Sequence, residues 1–282
     1  MRFEDLIYEL ESIAPSASQA EWDNSGIQIA VRSPGVKRVM TALEITDEIV
    51  TEAVEKEVDV IVTHHPLIFG SLSSIDRASI EGQYILDLIK NNISVYSSHT
   101  PFDKCTGGNN DLLAEELGLE DVDGFTVNEG GILVKDMTGR VGKLPEPLSL
   151  DELADILADA ISSDRSSFRI VGELSESIQT VALCTGAGAE FIETAVDNQC
   201  DVLITGDVKY HDAQKARSTG LCLIDGGHYG TEKSFAANMA GKLRERIGDL
   251  VEIIEAETDI DPFTEASKDT EDRPEEVSYG LE

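Results

Sequence analysis

Basic residues are scarce in this chain. Lysine and arginine number 22 against 55 aspartates and glutamates in 282 residues, a formal net charge of −33. A surface of that sign repels phosphate backbones and anionic headgroups, so the general surface is not expected to bind nucleic acid or a membrane. Asp261–Glu282 holds eight acidic and two basic residues, −6 in all, which leaves −27 on the body. That charge predicts a protein adapted to high salt, where screening suppresses self-repulsion. Long apolar runs are missing as well; none approaches the ~20 residues of a membrane span. Met1-Arg-Phe-Glu-Asp-Leu6 lacks the apolar stretch of a secretory signal, so the cytoplasm is the expected location.

Cysteine is rare and unpatterned. Cys105, Cys184, Cys200 and Cys222 show no CxxC spacing, which excludes the usual thiolate zinc sites. Cys184 and Cys222 sit in apolar strand-like runs as buried thiols, and Cys105, though close to Asp103, reads as ordinary packing. There is no Walker A loop and no GxSxG nucleophile elbow. Thr185-Gly-Ala-Gly188 lacks the third glycine of a dinucleotide loop, because Phe191 stands there. A tight strand-to-helix turn accounts for it, with backbone N–H groups that could still hold a substrate phosphate.

Against these absences one feature stands out. His64 and His65 close the apolar run Val58-Asp-Val-Ile-Val-Thr63 and are followed at once by Pro66. The run reads as a buried strand of a parallel sheet. Neighbouring side chains of a strand point to opposite faces, so adjacent histidines serve one site only where the strand ends and turns. Pro66 lacks an N–H and keeps His65 extended, which enforces that end. Ligands of open α/β folds bind at such carboxyl ends. The alternative is a solvent-facing or capping pair.

The architecture is written twice. A shift of 142 residues lays Val39–Pro66 on Val181–Val208 without a gap, with identities at Val39/Val181, Glu48/Glu190, Ala53/Ala195, Val54/Val196, Asp59/Asp201, Val60/Val202 and Thr63/Thr205. Each copy reads strand, amphipathic helix, strand. In the first helix Ile49, Ala53 and Val54 are expected on the packed side, with Glu48, Glu52 and Glu55 directed away. A second match, at a shift of 129, sets His99 on His228, Asp103 on Glu232, Lys104 on Lys233 and Asn109 on Asn238. The prediction is an α/β fold of two related lobes with a crevice between them: 1–124 as the first half, 125–262 as the second, and 263–282 as an acidic, flexible tail. Asp123-Gly124 marks the expected boundary, and Gly139–Pro147 reads as turn-rich. Helices are expected from Phe3 to before Pro15, from Ser149 with Leu150, Leu153, Ile156 and Leu157 inward, and over about 109–117 and 234–247.

His64, His65, Asp103, His228 and Glu232 are the candidate metal ligands. Imidazole with carboxylate suits zinc, iron, manganese, cobalt or nickel. Five ligands are too many for an open mononuclear zinc site and too few to saturate two octahedral ions, so two divalent ions with positions left for water and substrate are expected. Two such ions, two carboxylates and a bridging hydroxide leave about +1, enough to hold a small anionic substrate inside an acidic protein. In the second copy the positions of His64 and His65 are filled by Gly206 and Asp207, and glycine there allows close approach. His99 and His211 are candidate catalytic or substrate-contacting residues, the alternative for each being a hydrogen-bonded histidine in the crevice wall. Trp22, with Asp23 and Asn24, lines the crevice or packs in the core.

Five ordered motifs carry a family resemblance: Glu21-Trp-Asp-Asn-Ser-Gly26, Thr63-His-His-Pro66, His99-Thr-Pro-Phe-Asp103, Thr205-Gly-Asp-Val-Lys-Tyr-His-Asp212 and Asp225-Gly-Gly-His-Tyr-Gly-Thr-Glu232. Over about residues 1–262 the chain resembles the Nif-three-like family, whose members bear the name of type 2 homologues of GTP cyclohydrolase I. The resemblance implies a two-lobed α/β fold, a dinuclear metal centre on the same five ligands, and self-association into a hexameric ring with sites facing an internal cavity. The functional expectation is a metal-dependent hydrolase of a small phosphorylated or nucleotide-like substrate; the alternative is a non-catalytic metal-binding or regulatory protein.

Overall fold

The computed structural model describes residues 1–31 and 35–264. The tail expected at 263–282 therefore lies outside the described residues except for its first two positions. Among the described residues the strands form one sheet of five and one of six.

The duplication extends well beyond the two matched segments. The first copy runs α1 (Phe3–Ile13), β1 (Gly26–Ile29), β2 (Arg38–Ala42), α2 (Asp47–Glu55), β3 (Val60–Thr63), α3 (Ile80–Lys90), β4 (Ser94–Ser97), α4 (Thr100–Lys104) and α5 (Asn109–Glu116). A long hairpin follows, β5 (Glu120–Glu129) and β6 (Ile132–Ser149). The second copy repeats the order as α6 (Leu150–Ala160), β7 (Arg169–Val171), β8 (Ser177–Ala187), α7 (Ile192–Asp197), β9 (Val202–Gly206), α8 (Tyr210–Thr219), β10 (Cys222–Asp225), α9 (His228–Glu232) and α10 (Phe235–Ile247), and β11 (Glu252–Glu255) closes the chain's regular structure. The sheets are ordered β1-β4-β3-β2-β11 and β5-β6-β8-β9-β10-β7. In each, three central strands are parallel and the short edge strand, β1 or β7, is antiparallel to its neighbour.

Register confirms the match residue by residue. Val39 pairs with Val60 and Val181 with Val202, so a shift of 142 carries one ladder onto the other. Alternation along each strand then divides the core. Val39 and Val181 face the pair of long helices on one side of their sheet, whereas Met40 and Ala182 face α2 and α7 on the other.

The helices that end the copies are exchanged. Leu113 of α5 and Leu117 at its end pack with Leu150, Leu153 and Leu157 of α6 on the second sheet. Phe235, Met239 and Leu243 of α10 pack with Leu6 and Leu10 of α1 on the first sheet. β11 then pairs in parallel with β2, Ile253 opposite Val39. The chain thus crosses between lobes and returns, and the lobes are not two consecutive stretches. The cut expected after 124 falls inside β5, where Asp121 takes a positive φ of 53° and the pairing with β6 shifts register around Asp123. Gly139–Pro147, read as turn-rich, is the body of β6, with its irregularity absorbed between Lys143 and Leu148.

Local signals place most helices as expected. Ser149 and Glu152 form the capping box of α6, with Leu150, Leu153 and Leu157 buried. The polarity of α2 differs from expectation. Glu52 is buried and Val54 is 38% exposed. Glu52 accepts from Lys56 Nζ (2.8 Å), from the backbone N–H groups of Glu257 and Thr258 (3.0 and 3.2 Å) and from Thr258 Oγ1 (2.6 Å). The segment after β11 covers this side of α2, a cover that the helix's own periodicity does not encode.

Candidate metal centre

β3 ends where a turn is needed. The backbone N–H of His64 is shared between the carbonyls of Ala42 (3.3 Å) and Leu43 (3.0 Å), and that of His65 also donates to Leu43 (2.9 Å), so the ladder ends here. Thr63 Oγ1 donates to the carbonyl of His65 at 2.8 Å and braces the turn. Both rings consequently reach the carboxylate of Glu232, with centroids 5.2 Å apart.

His64 is completely buried. Its Nδ1–H donates to the carbonyl of Ser98 at 2.9 Å, which directs Nε2 at Oδ1 of Asp103 (3.6 Å) and Oε1 of Glu232 (3.4 Å). His64 Nε2 and Asp103 Oδ1 are both buried without a hydrogen-bond partner. Leaving such atoms unpaired is costly, and an electron-pair donor facing acidic oxygens is what a cation satisfies.

A second set converges alongside. His65 Nε2 and His228 Nε2 each lie 2.9 Å from Glu232 Oε2, and 3.2 Å from one another. His64 with Asp103 and Glu232, and His65 with His228 and Glu232, each form a donor group within 4.8 Å that could hold a metal ion. Glu232 belongs to both, one carboxylate oxygen toward each group. His99 joins His64 and His65 in a third such group.

Charge in this cluster is arranged for a cation. Burial works against charge on His65, yet Glu232 and Glu44 hold its pKa up at about 10. Glu232, with Asp207, raises His228 to about 9 against its burial. Burial pushes Asp103 above the usual carboxylate range. Burial also opposes the charge on Glu232, but the surrounding imidazoles hold it well below that range. The acidic oxygens thus draw protons onto the imidazoles, protons that a metal ion held by these groups would displace.

Two supporting carboxylates complete the centre, Asp207 and Asp23, neither of them assigned from the sequence to orient a histidine. Asp207 Oδ2 accepts from His228 Nδ1 at 2.8 Å, which turns Nε2 toward Glu232. It does so from a positive φ of 55°. The repeat pointed to this position, since Asp207 is the counterpart of His65. Asp23 has a fully enclosed side chain and accepts from His99 Nδ1 (2.9 Å), Thr100 Oγ1 (2.6 Å) and Ser25 Oγ (2.8 Å). Despite burial, His99 and Thr100 hold its carboxyl well below the usual range. His211 is exposed on α8 and stands beside Tyr210, outside the residues that line the crevice.

Glycines open the space. A Cβ on Gly186, whose φ is +68°, would strike the carboxylate of Glu232, and one on Gly206 would come within 2.6 Å of the backbone nitrogen of His228. The phosphate-binding expectation for Thr185–Gly188 is not met. The N–H of Thr185 donates to Asn110 Oδ1 (2.9 Å), that of Gly186 to Thr231 Oγ1 (2.9 Å) and that of Gly188 to Thr205 Oγ1 (2.7 Å). Those donors are spent inside the protein, locking β8 to the site.

Above the ligands lies a cavity of about 360 Å³ whose walls include Trp22, Phe69, Thr185, Glu190 and Phe191 as well as His65, His99, Asp103, His228 and Glu232. Trp22 thus belongs to the crevice and not to a core. No helix among the described residues is long and apolar enough to cross a membrane.

Comparison with known proteins agrees with this geometry. The family model Duf34/NIF3 (NGG1p interacting factor 3) matches residues 1–262. The chain belongs to the Duf34/NIF3 family. It is 32% identical over 263 residues to a Clostridium perfringens protein named GTP cyclohydrolase 1 type 2 homolog, covering 93% of this chain and 99% of that one. A protein of the same name from Streptococcus pneumoniae is 35% identical over 268 residues, covering 92% and 97%. Among solved structures, a Bacillus cereus protein related to NIF3 superposes with a TM-score of 0.84 at 25% identity, covering 93% of this chain and 98% of that one. A Staphylococcus aureus hypothetical protein does so at 0.81 and 26%, covering 94% and 99%. The Duf34/NIF3 match spans both copies of the repeat and all five candidate ligands.

Proposed function

We propose that this member of the Duf34/NIF3 family is a metal-dependent hydrolase that binds two divalent ions and acts on a small phosphorylated or nucleotide-like compound. The observation that carries the reading is the position of Glu232, one carboxylate shared by two donor groups, one of which also contains the orphaned His64 Nε2 and Asp103 Oδ1. The nitrogen and oxygen donors suit zinc, iron, manganese, cobalt or nickel. Such ions supply Lewis acidity and lower the pKa of water toward neutrality.

The chain's own residues do the rest. Asp207 orients His228, and Ser98 orients His64, so that each presents Nε2 to the centre. Asp23 fixes the proton of His99 on Nδ1 and leaves Nε2 to accept a proton or a substrate hydrogen bond at the crevice. A GTP cyclohydrolase activity, suggested by the names of the relatives, is a narrower form of the same reading. A hexameric ring belongs to it too, supported by the family resemblance.

Metal analysis of the purified protein, combined with a screen of phosphoesters and nucleotides, tests the proposal. The expected result is about two ions per chain and a turnover that chelation abolishes and metal restores. Full metal occupancy with no turnover on any member of the panel would favour the non-catalytic alternative.

A further inference from the structure

Two large aromatic side chains stand in the open at the mouth of the cavity that the candidate metal ligands line. Trp22 is 57% exposed and Phe69 is 55% exposed. The chain has one tryptophan and only 5% aromatic residues, so their convergence on one rim is not a consequence of abundance. Their ring centroids lie 6.0 Å apart with planes 34° from parallel, and His99 meets both edge-on at 5.7 and 6.3 Å.

The rim is braced from below. Asn24 Nδ2 donates to the carbonyl of Ile68 at 2.6 Å, the Ile68 N–H donates to Gln28 Oε1 at 3.0 Å, and Gln28 Nε2 donates to the carbonyl of Asn24 at 2.6 Å. These bonds tie the loop bearing Trp22 to the loop bearing Phe69. Asp23, beside Trp22, is anchored by His99, Thr100 and Ser25. Exposed aromatic surface is unfavourable in water, and here two loops hold it in place. Preorganised apolar surface beside convergent polar groups is the form of a ligand site.

We propose that Trp22 and Phe69 form a stacking platform for a planar heteroaromatic ring, such as a purine, whose anionic portion lies at the metal ligands. The inference rests on the hydrolase reading of the same cavity and adds which part of the substrate is recognised outside the metal centre. Every nucleobase offers a π-face, so stacking supplies affinity without identifying the base.

Trp22, as the sole tryptophan, reports on its own site. Metal-loaded, full-length protein is titrated with GMP and with ribose 5-phosphate, by Trp22 fluorescence and by calorimetry. GMP is expected to quench Trp22 and to bind about tenfold or more tighter than ribose 5-phosphate. Phe69→Ala should weaken GMP by a similar factor and leave ribose 5-phosphate unchanged, and Phe69→Trp should restore GMP binding. Equal affinities for the two ligands, or equal losses for both on Phe69→Ala, would overturn the platform. So would shielding of Trp22 from acrylamide in the ligand-free protein, since a second copy of the chain would then cover the rim. If GMP still stacks while ribose 5-phosphate fails to bind, the anion-binding part of the hydrolase reading falls and the platform stands; if neither binds, both fall.

Discussion

Asp207 holds His228 by its Nδ1 at 2.8 Å, from the position that the other copy of the repeat gives to His65. The two halves of a duplicated structure thus meet at one centre with complementary parts. One strand end supplies a pair of donors, and its counterpart supplies the carboxylate that aims a donor at the start of α9.

Asp207→Ala should lower metal affinity about 10- to 100-fold, the usual cost of losing a carboxylate that orients a ligating histidine. The fold should persist, because the Asp207 side chain is 56% exposed and its bond is to His228 at the centre itself. Competition with a chromophoric chelator measures the affinity; unchanged affinity would remove Asp207 from the centre.

Glu232→Ala should cost more metal than His64→Ala or His65→Ala. Glu232 belongs to two donor groups, with His64 and Asp103 in one and His65 and His228 in the other. Elemental analysis is expected to give near one ion or less for each histidine variant and close to none for Glu232→Ala. Retention of two tightly held ions by Glu232→Ala would refute the shared-carboxylate arrangement.

Glu52 makes acid stability testable. Burial would raise its pKa, but Lys56, Thr258 and the backbone of Glu257 hold it at about 2, below its ordinary 4.5. A depressed carboxyl adds stability that is present above the unfolded value and fades as pH falls toward the folded one. Glu52→Gln should therefore be less stable than the parent at pH 7, by about 1–3 kcal/mol. Urea midpoints at pH 7 and pH 3 should show the gap narrowing in acid. A gap of constant size would mean that Glu52 does not hold the returning segment through its charge.

Salt should matter as well. With −27 outside the final acidic segment, moving from molar to millimolar KCl removes the screening of self-repulsion and should lower the melting temperature by about 5 °C or more. Scanning calorimetry across that range decides it, and an unchanged melting temperature would end the high-salt interpretation.

Much of this structure was legible because its signals are local. Short apolar runs along β2, β3, β8 and β9 name buried strands, and a register that repeats at 142 residues places Val39 and Val181 alike. Pro66 after a histidine pair marks a strand end. Histidine and acid four residues apart, at His99–Asp103 and His228–Glu232, mark one face of a single helical turn. These determined the two-lobed α/β class and the candidate ligand set. Tertiary structure alone decided what covers what. Periodicity reports that a face will be buried, but not which distant segment buries it. Hence α5 and α10 change lobes, and Glu52 turns inward to meet Thr258. Asp23 and Asp207 find histidines far away in the chain, and the N–H groups of Thr185, Gly186 and Gly188 are taken by side chains from other elements. Each of these contacts joins residues separated by many positions, and only the packed chain brings them within reach.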